Sequence, residues 1–278
     1  MRFGRIGQPG QEVPAVKHEG SWRDLRGITD EIDGAFLGRV GEVDWDSVLP
    51  TLPEVPAGRI GAPIAQPGKV VCIGLNYSDH AAESGMDEPT EPVLFMKDPS
   101  TVVGPDDTVL IPRKSVKTDW EVELAVVIGK EARYLPDAES AAAVIAGYAV
   151  AHDVSEREFQ LERGGTWDKG KSCETFNPLG PELVTADEVG DPQNLDLKLS
   201  VNGTPRQNGN TANMIFGVYE IIRYLSQFMV LRPGDLINTG TPAGVAMGID
   251  GQPYLRDGDV VELEIQGLGA QRQVMAQA

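Results

Sequence analysis

Apolar residues along this chain fall mostly into short runs and alternating stretches, the patterns typical of β-strands. Residues 120–129 alternate at first and then become continuously apolar, which indicates a strand that enters a buried core. An Asn202-Gly203 pair after the strand-like residues 195–201 predicts a hairpin turn to the residues that follow. We expect strands at residues 70–74, 120–129, 195–201, 260–266 and 271–275.

Helical periodicity is much rarer. One set of apolar residues recurs at helical spacing and predicts a helix capped by Asn210, Thr211 or Asn213 and ending before Arg232. Its apolar face comprises Met214, Ile215, Val218, Ile221, Ile222, Leu225 and Phe228. Residues 137–145 predict a second, shorter helix. Many strands with few helices favour a mixed α+β fold that is mostly β, rather than a regular βαβ array.

The chain of 278 residues is long enough for one large domain and a small one. Its first 66 residues have weak periodicity and many glycines and prolines, and a stretch rich in proline and glycine spans residues 62–68. We therefore expect a small N-terminal β-rich domain at residues 1–66 and a larger catalytic domain at residues 67–278.

Acidic side chains outnumber basic ones by 42 to 24, which gives a formal net charge of −18 at pH 7. This charge argues against nucleic acid or an anionic membrane as a partner, because both bind positive surfaces. The apolar runs are too short to span a bilayer, and residues 1–5 do not lead into the apolar segment of a secretory signal. Cys72 and Cys173 alone cannot build a disulfide framework, so the cytoplasm is the predicted compartment.

Three carboxylates alternate with apolar residues where the strand at residues 120–129 begins. Asp119, Glu121 and Glu123 share one face of an extended chain, because successive side chains point to opposite faces. Such a cluster either holds a cation or forms the solvated face of an edge strand. The apolar run that follows favours the metal site.

Asp153 follows a small-residue strand at residues 146–150 and offers a further oxygen ligand, unless it only caps the next turn. Oxygen ligands without a histidine or cysteine cluster suit Mg²⁺, Mn²⁺ or Ca²⁺ better than zinc. His80 and Glu83 stand three residues apart, so one helical turn would bring them together. A carboxylate beside an imidazole is the usual arrangement of a general base, although a surface pair has the same spacing.

The spacing of Gly165, Gly170, Lys171 and Ser172 matches a phosphate-binding loop. Such a loop needs a buried strand before it and a helix after it, and neither is predicted here, so we interpret the match as accidental. Lys171 is then either a cation for a substrate carboxylate or enolate, or a solvated lysine. The glycines and threonines of residues 238–245 can present donors to a carboxylate.

Taken together and in this order, these segments resemble the fumarylacetoacetate hydrolase superfamily. The resemblance covers residues 74–245, and the N-terminal region has no motif of its own. The matching segments are GLNYSDHAAE, the E-x-E of DWEVELAVVIG, HDVSEREFQ, WDKGKSCETFNPLGP, Gln207-x3-Thr211 with NMIFGVYEIIRYLSQFMVLRPGD, and INTGTPAGV.

The resemblance implies a catalytic domain of rolled mixed β-sheets, a homodimer, and Mg²⁺ or Mn²⁺ in the site. It implies roles for nine residues: metal ligands Glu121, Glu123 and Asp153; catalytic His80, Glu83 and Lys171; and substrate-binding Arg157, Gln160 and Thr241. Asp119 is not counted as a ligand. Two departures from the family pattern, Glu174 and residues 245–248, are expected to reshape the pocket.

The activity implied is hydrolysis of a carbon–carbon bond in a small anionic 2-oxo acid of the acylpyruvate type. A 2,4-diketo-3-deoxy sugar acid is the preferred substrate. The alternatives are a lyase that decarboxylates oxaloacetate, a related isomerase-decarboxylase, and a metal-stabilised binding protein with a dead site. Nucleotide binding at residues 165–172 ranks last. Retention of the proposed ligands and base counts against a dead site.

Overall fold

The computed structural model describes residues 1–83 and 87–278, which contain nineteen strands and seven short α-helices. In the first half of the chain the strands are β1 (Arg2–Ile6), β2 (Val13–His18), β3 (Ser21–Asp24), β4 (Ile60–Gly61), β5 (Val70–Gly74), β6 (Val93–Lys97), β7 (Val102–Val103), β8 (Val109–Ile111), β9 (Thr118–Asp119) and β10 (Val122–Ile128). In the second half they are β11 (Ile145–His152), β12 (Ser155–Glu156), β13 (Asn177–Pro178), β14 (Leu183–Thr185), β15 (Asp196–Val201), β16 (Thr204–Asn210), β17 (Leu236–Asn238), β18 (Val260–Ile265) and β19 (Gly269–Gln277).

The helices are short and lie between the strands. They are α1 (Gly34–Leu37), α2 (Trp45–Val48), α3 (Ser78–Glu83), α4 (Ala138–Ala142), α5 (Asp168–Lys171), α6 (Ala186–Val189) and α7 (Val218–Leu225). Single 3₁₀ turns occur at Val40–Glu42, Leu49–Thr51, Pro99–Thr101, Thr211–Asn213 and Ala246–Gly248, and a π-helical turn at Glu158–Glu162. Among the described residues, no helix combines the length and apolar character needed to cross a membrane.

Ten strands form one mixed sheet in the order β3-β2-β1-β14-β11-β10-β17-β5-β6, with β4 paired to β1. Five strands form a second sheet in the order β16-β15-β18-β19-β8. Two further ladders are short: β9 pairs antiparallel with β12, and β7 pairs parallel with β13. The strand-rich mixed fold expected from the sequence is confirmed, including both predicted hairpins.

The central strand β10 shows why its sequence becomes continuously apolar. It lies between β11 and β17 and is buried along its whole length. Val122 and Leu124 face a core shared with the second sheet and α7, whereas Ala125 and Val127 face a second core shared with the N-terminal region. From Leu124 onward, burial of both faces therefore favours apolar residues throughout the strand.

The predicted long helix is wrong at both ends. Its helical part is α7, which begins at Val218 after Gly217 and ends at Leu225, and Phe228 is 64% exposed instead of lying on the buried face. Before α7, Met214 forms an isolated β-bridge with Tyr77. The Ile215 amide donates to the carbonyl of Asn76, so tertiary pairing overrides the local periodicity. Asn210 does act as a cap, but of the 3₁₀ turn at Thr211–Asn213. The predicted second helix is α4, capped by Asp137.

The first 66 residues do not form a sheet of their own. Strand β1 pairs antiparallel with β14, with Arg2 opposite Val184 and Phe3 opposite Leu183, so β1 to β4 extend the large sheet. The predicted boundary between residues 66 and 67 stays a prediction about domain organisation. What the structure adds is that hydrogen bonds cross from one side of that boundary to the other.

Candidate active site

Glu121, Glu123 and Asp153 are brought together by strand pairing. Val122 lies opposite His152 in the β10–β11 ladder, and the Asp153 amide donates to the Glu121 carbonyl at 3.0 Å. One carboxylate oxygen from each of the three lies within 4.8 Å of the others, and all three side chains are buried. The alternative of a solvated edge strand is therefore wrong.

Two lysines meet these carboxylates. Lys171 Nζ lies 2.8 Å from Glu121 Oε2 and 2.8 Å from Asp153 Oδ2. Lys97 Nζ binds Asp153 Oδ1 and also donates to the Phe176 carbonyl at 2.6 Å. Both lysines are buried, so Lys171 is not a solvated surface residue and Asp153 is not a turn cap.

Lys97 was not predicted from the sequence patterns. It is the last residue of β6 and shares a buried side of that strand with Phe95. A lysine at an inward position of an apolar strand was the available signal, because lysine is almost never fully buried unless it is paired.

Arg157 forms a second bridge between acidic residues. Its Nε donates to Asp119 Oδ2 at 2.8 Å, and its Nη2 lies 2.7 Å from Glu121 Oε1. Nη1 donates to Gln160 Oε1 at 3.0 Å. Asp119 also accepts the backbone amides of Ala246 and Met247 at 2.7 and 3.1 Å. Asp119 thus orients Arg157 and the loop beside it.

The charges do not balance within this group, which we call the site cluster. It contains four carboxylates and three cations: Asp119, Glu121, Glu123 and Asp153 with Lys97, Arg157 and Lys171. Counted as ionised groups, the carboxylates exceed the cations by one. The carboxylate without a cation partner among the described residues is Glu123, which accepts a hydrogen bond from the Gly240 amide at 2.8 Å.

Burial raises the pKa of Glu123 well above its ordinary value, and the neighbouring Asp153 and Glu121 raise it further. For Glu121 burial acts in the same direction, but Lys171 and Arg157 outweigh it and lower the pKa. A buried carboxylate without a cation is costly, and oxygen ligands of this kind suit Mg²⁺ or Mn²⁺. The residues present therefore fit a divalent metal held by Glu121, Glu123 and Asp153.

His80 and Glu83 lie on α3 and face each other across one helical turn. His80 Nδ1 is 3.5 Å from Glu83 Oε2, too far for a hydrogen bond, and this nitrogen has no hydrogen-bond partner among the described residues. The Gly244 amide donates to both oxygens of Glu83 at 3.1 and 3.0 Å. Burial would raise the pKa of Glu83, but His80 and the Gly244 amide outweigh it and lower that pKa. His80 is buried in the wall of the cavity that also contains Glu121 and Lys171.

Arg157, Gln160 and Thr241 line the same cavity. The Thr241 hydroxyl is already engaged, because it donates to the Val122 carbonyl at 2.9 Å and accepts from Gln207 Nε2 at 2.8 Å. Gln207 Oε1 also accepts the Val122 amide at 2.9 Å. Gln207 thus links β10 to the loop at residue 241 through these hydrogen bonds.

Gly240 is required by two features of that loop. Its φ is +99°, and a Cβ there would lie 2.7 Å from the Cβ of Asn76. Asn76 is buried and donates from Nδ2 to the carbonyls of Phe216 and Thr239 at 3.0 and 2.8 Å. It therefore joins the segment that leads into α3, the loop that carries Gly240, and the start of α7.

The resemblance to a phosphate-binding loop is accidental, as expected. Residues 165–172 follow the π-helical turn Glu158–Glu162 instead of a buried strand. A Cβ on Gly170 would lie 2.5 Å from both the Gln160 nitrogen and the Glu156 carbonyl oxygen, so the glycine is needed for packing. Of the two departures noted, Met247 lines the cavity, whereas Glu174 is exposed and does not.

Residues 69–276 match the family model described as fumarylacetoacetate (FAA) hydrolase C-terminal. The chain is 50% identical over 279 residues to a 2,4-didehydro-3-deoxy-L-rhamnonate hydrolase of Sphingomonas sp. (strain SKA58), covering 100% of this chain and 96% of that protein.

Solved structures agree. A fumarylacetoacetate hydrolase from Exiguobacterium antarcticum superposes with a TM-score of 0.87 at 35% identity, covering 100% of both chains. A maleylpyruvate hydrolase from Sphingobium sp. SYK-6, in complex with manganese(II) and pyruvate, superposes with a TM-score of 0.82 at 28% identity, again over 100% of both chains. The predicted family resemblance is confirmed.

Proposed function

The chain belongs to the fumarylacetoacetate hydrolase family, and on that premise we propose that it is a divalent-metal-dependent hydrolase of an acylpyruvate-type 2,4-diketo acid. The observation that carries the proposal is the position of His80, paired with Glu83, in the same cavity as the three carboxylates and Lys171. A hydrolase needs a base for water beside its electrophilic centre, and this cavity offers both.

Glu121, Glu123 and Asp153 would hold a divalent cation, which would supply Lewis-acid chemistry at the 2-oxo acid end of the substrate. Mn²⁺ is supported by the manganese(II) and pyruvate in the maleylpyruvate hydrolase structure, and Mg²⁺ suits the same oxygen ligands. A homodimer in the cytoplasm stays a prediction.

The protein's own residues perform the remaining steps. His80, oriented by Glu83, takes a proton from water, and the water oxygen bonds to the C4 carbonyl carbon. The C3–C4 bond then breaks, its electron pair passing to the pyruvate fragment as an enolate. Lys171 stabilises the enolate charge. The proton that His80 took from water passes to C3, which yields pyruvate beside the second acid and restores His80. Arg157 and Gln160 orient the substrate's carboxylate end.

The relative that acts on a 2,4-didehydro-3-deoxy-L-rhamnonate supports a deoxy sugar acid as the substrate. The rival activity, decarboxylation of oxaloacetate, uses the same metal-polarised 2-oxo group but consumes no water. The role of His80 therefore separates the two reactions.

We expect an acylpyruvate or diketo sugar acid to turn over much faster than oxaloacetate, with label from ¹⁸O-water in the released acid. His80→Ala should lower this hydrolysis by roughly 10²- to 10⁴-fold, the usual contribution of a positioned general base. His18→Ala, on β2, is the matched control and should leave the rate unchanged. Rapid release of CO₂ from oxaloacetate, with no diketo acid consumed and little effect of His80→Ala, would assign the protein to the lyases.

A further inference from the structure

Two sets of side chains of opposite character line the cavity. The charged set is Arg157, Glu121, Glu123 and Lys171, and the cavity occupies about 520 Å³ including its mouth. The apolar set, which we call the apolar wall, is Ile73, Leu75, Phe95, Leu161, Trp167 and Met247. When the 2-oxo acid end of a substrate lies among the charges, we expect its other end to meet these apolar side chains.

No net positive charge remains to meet a second carboxylate there. Three cations and four carboxylates give the site cluster a charge of 3 − 4 = −1. A divalent cation and one substrate carboxylate bring the total to −1 + 2 − 1 = 0. Glu83, half-buried on α3, adds a further negative charge near the cavity.

Among the described residues that line the cavity, the lysines and arginines are Arg157 and Lys171, and both already face carboxylates. Residues 84–86, which lie outside the described part, are Ser, Gly and Met and add no basic group. His80 is the other basic side chain of the lining, and it serves as the neutral base in the proposed reaction.

Resting on the proposed function, we propose that the substrate has a single carboxylate, and that its distal end is uncharged, an alkyl or hydroxyalkyl group seated on the apolar wall. Dicarboxylic diketo acids are poor substrates, because a second carboxylate would lose hydration against apolar side chains and gain no cation. Leu161 is 43% exposed at the rim, so solvent reaches that end in part and the discrimination is moderate.

Binding tests this without turnover. 2-Oxohexanoate and 2-oxoadipate have the same number of carbons, differ in the terminal carboxylate, and lack the 4-oxo group needed for cleavage. With protein loaded with Mn²⁺, calorimetry should show 2-oxohexanoate binding at least about tenfold more tightly, the scale for a charged group left without a partner. Equal affinities, tighter binding of 2-oxoadipate, or no binding of either overturns the inference.

A positive charge added at the rim should remove most of the preference for 2-oxohexanoate. Leu161→Arg at the rim should raise the affinity for 2-oxoadipate about tenfold, because it supplies the missing charge. Leu94→Arg is the matched control, since Leu94 is 40% exposed and lies outside the cavity lining. Met247→Lys repeats the test from another position on the apolar wall if Leu161→Arg does not fold. A folded variant that leaves the affinity ratio unchanged shows that the distal end lies elsewhere, which overturns the inference.

Hydrolysis assays separate this inference from the proposed function. If acylpyruvates with alkyl tails and with carboxylate tails are cleaved equally well, the inference is wrong and the hydrolase proposal stands. If neither is cleaved but the protein still binds 2-oxohexanoate more tightly than 2-oxoadipate, the hydrolase proposal is wrong. The inference about the distal end of the ligand then stands.

Discussion

Two clusters of charged side chains in this protein each contain one carboxylate more than they contain cations. One cluster is buried, and the other is partly exposed to solvent. The site cluster has four carboxylates and three cations, all buried. A second group, the N-terminal cluster, has three carboxylates and two cations: Glu12, Glu31 and Asp107 with Arg5 and Arg59. Each therefore carries one excess negative charge.

Surroundings decide what that excess does. In the N-terminal cluster Glu31 and Asp107 keep 30% and 23% of their side chains exposed, so water screens the charge. In the site cluster Glu123 is 2% exposed, and its pKa is raised by burial and by Asp153 and Glu121. A partly exposed excess is inexpensive and needs no ligand, whereas a buried excess attracts a cation.

The largest expected effect follows from removing the divalent cation, or from removing the carboxylate of Glu123 that would bind it. EDTA should abolish turnover, and Mg²⁺ or Mn²⁺ should restore it. Glu123→Gln should weaken Mn²⁺ binding by more than about 10²-fold, beyond the effect of losing an outer partner of a metal ligand, and turnover should fall with it. Titration calorimetry and activity assays measure both, with the exposed Glu262→Gln as control. Full activity in chelated protein contradicts the metal site.

Glu123→Gln should also change the stability of the metal-free protein, and that effect is a gain instead of a loss. The folded pKa of Glu123 lies above 4.5, so ionising it at pH 7 costs free energy of folding in the metal-free chain. Metal-free Glu123→Gln should therefore melt at a higher temperature than the metal-free parent at pH 7. The gain should shrink as the pH falls toward 4.5 and disappear below it, where the unfolded chain also holds the proton. A lower melting temperature at pH 7 would show that the charge is compensated.

A smaller effect is expected from Lys171. If this side chain stabilises the enolate, Lys171→Met should lower kcat by roughly 10²-fold, the scale for loss of one electrostatic stabiliser. Lys169→Met, on the same helical turn but exposed, is the matched control. The melting temperature of each variant is measured beside kcat. Loss of stability with normal kcat would make Lys171 a structural residue.

The parts of the fold that local patterns could predict are those whose cause is local. Side-chain alternation predicted that Glu121 and Glu123 share a face, and Trp120 and Val122 indeed lie in the opposite core. The i,i+3 spacing predicted the contact of His80 with Glu83, and α3 supplies it.

What the sequence could not reveal depends on pairings between distant segments. Lys97 has no motif, and its contact with Asp153 joins the edge strand β6 to the residue after β11, although three strands lie between them in the large sheet. The tie from Gln207 to Thr241 joins β16 to a loop 34 residues away. The extension of the large sheet by β1 likewise requires β14, far along the chain.

The smallest effect is expected in the N-terminal cluster. Arg59→Met removes ion pairs with Glu12 and Asp107, but solvent reaches the cluster, so the loss should be about 1 kcal/mol or less. That corresponds to a fall in melting temperature of no more than about 4 °C for a chain of this size, with kcat unchanged. Thermal unfolding and steady-state kinetics on Arg59→Met and Lys171→Met, side by side, make the comparison direct. If Arg59→Met lowers kcat as much as Lys171→Met does, burial is not what distinguishes the two clusters, and the N-terminal cluster takes part in the site.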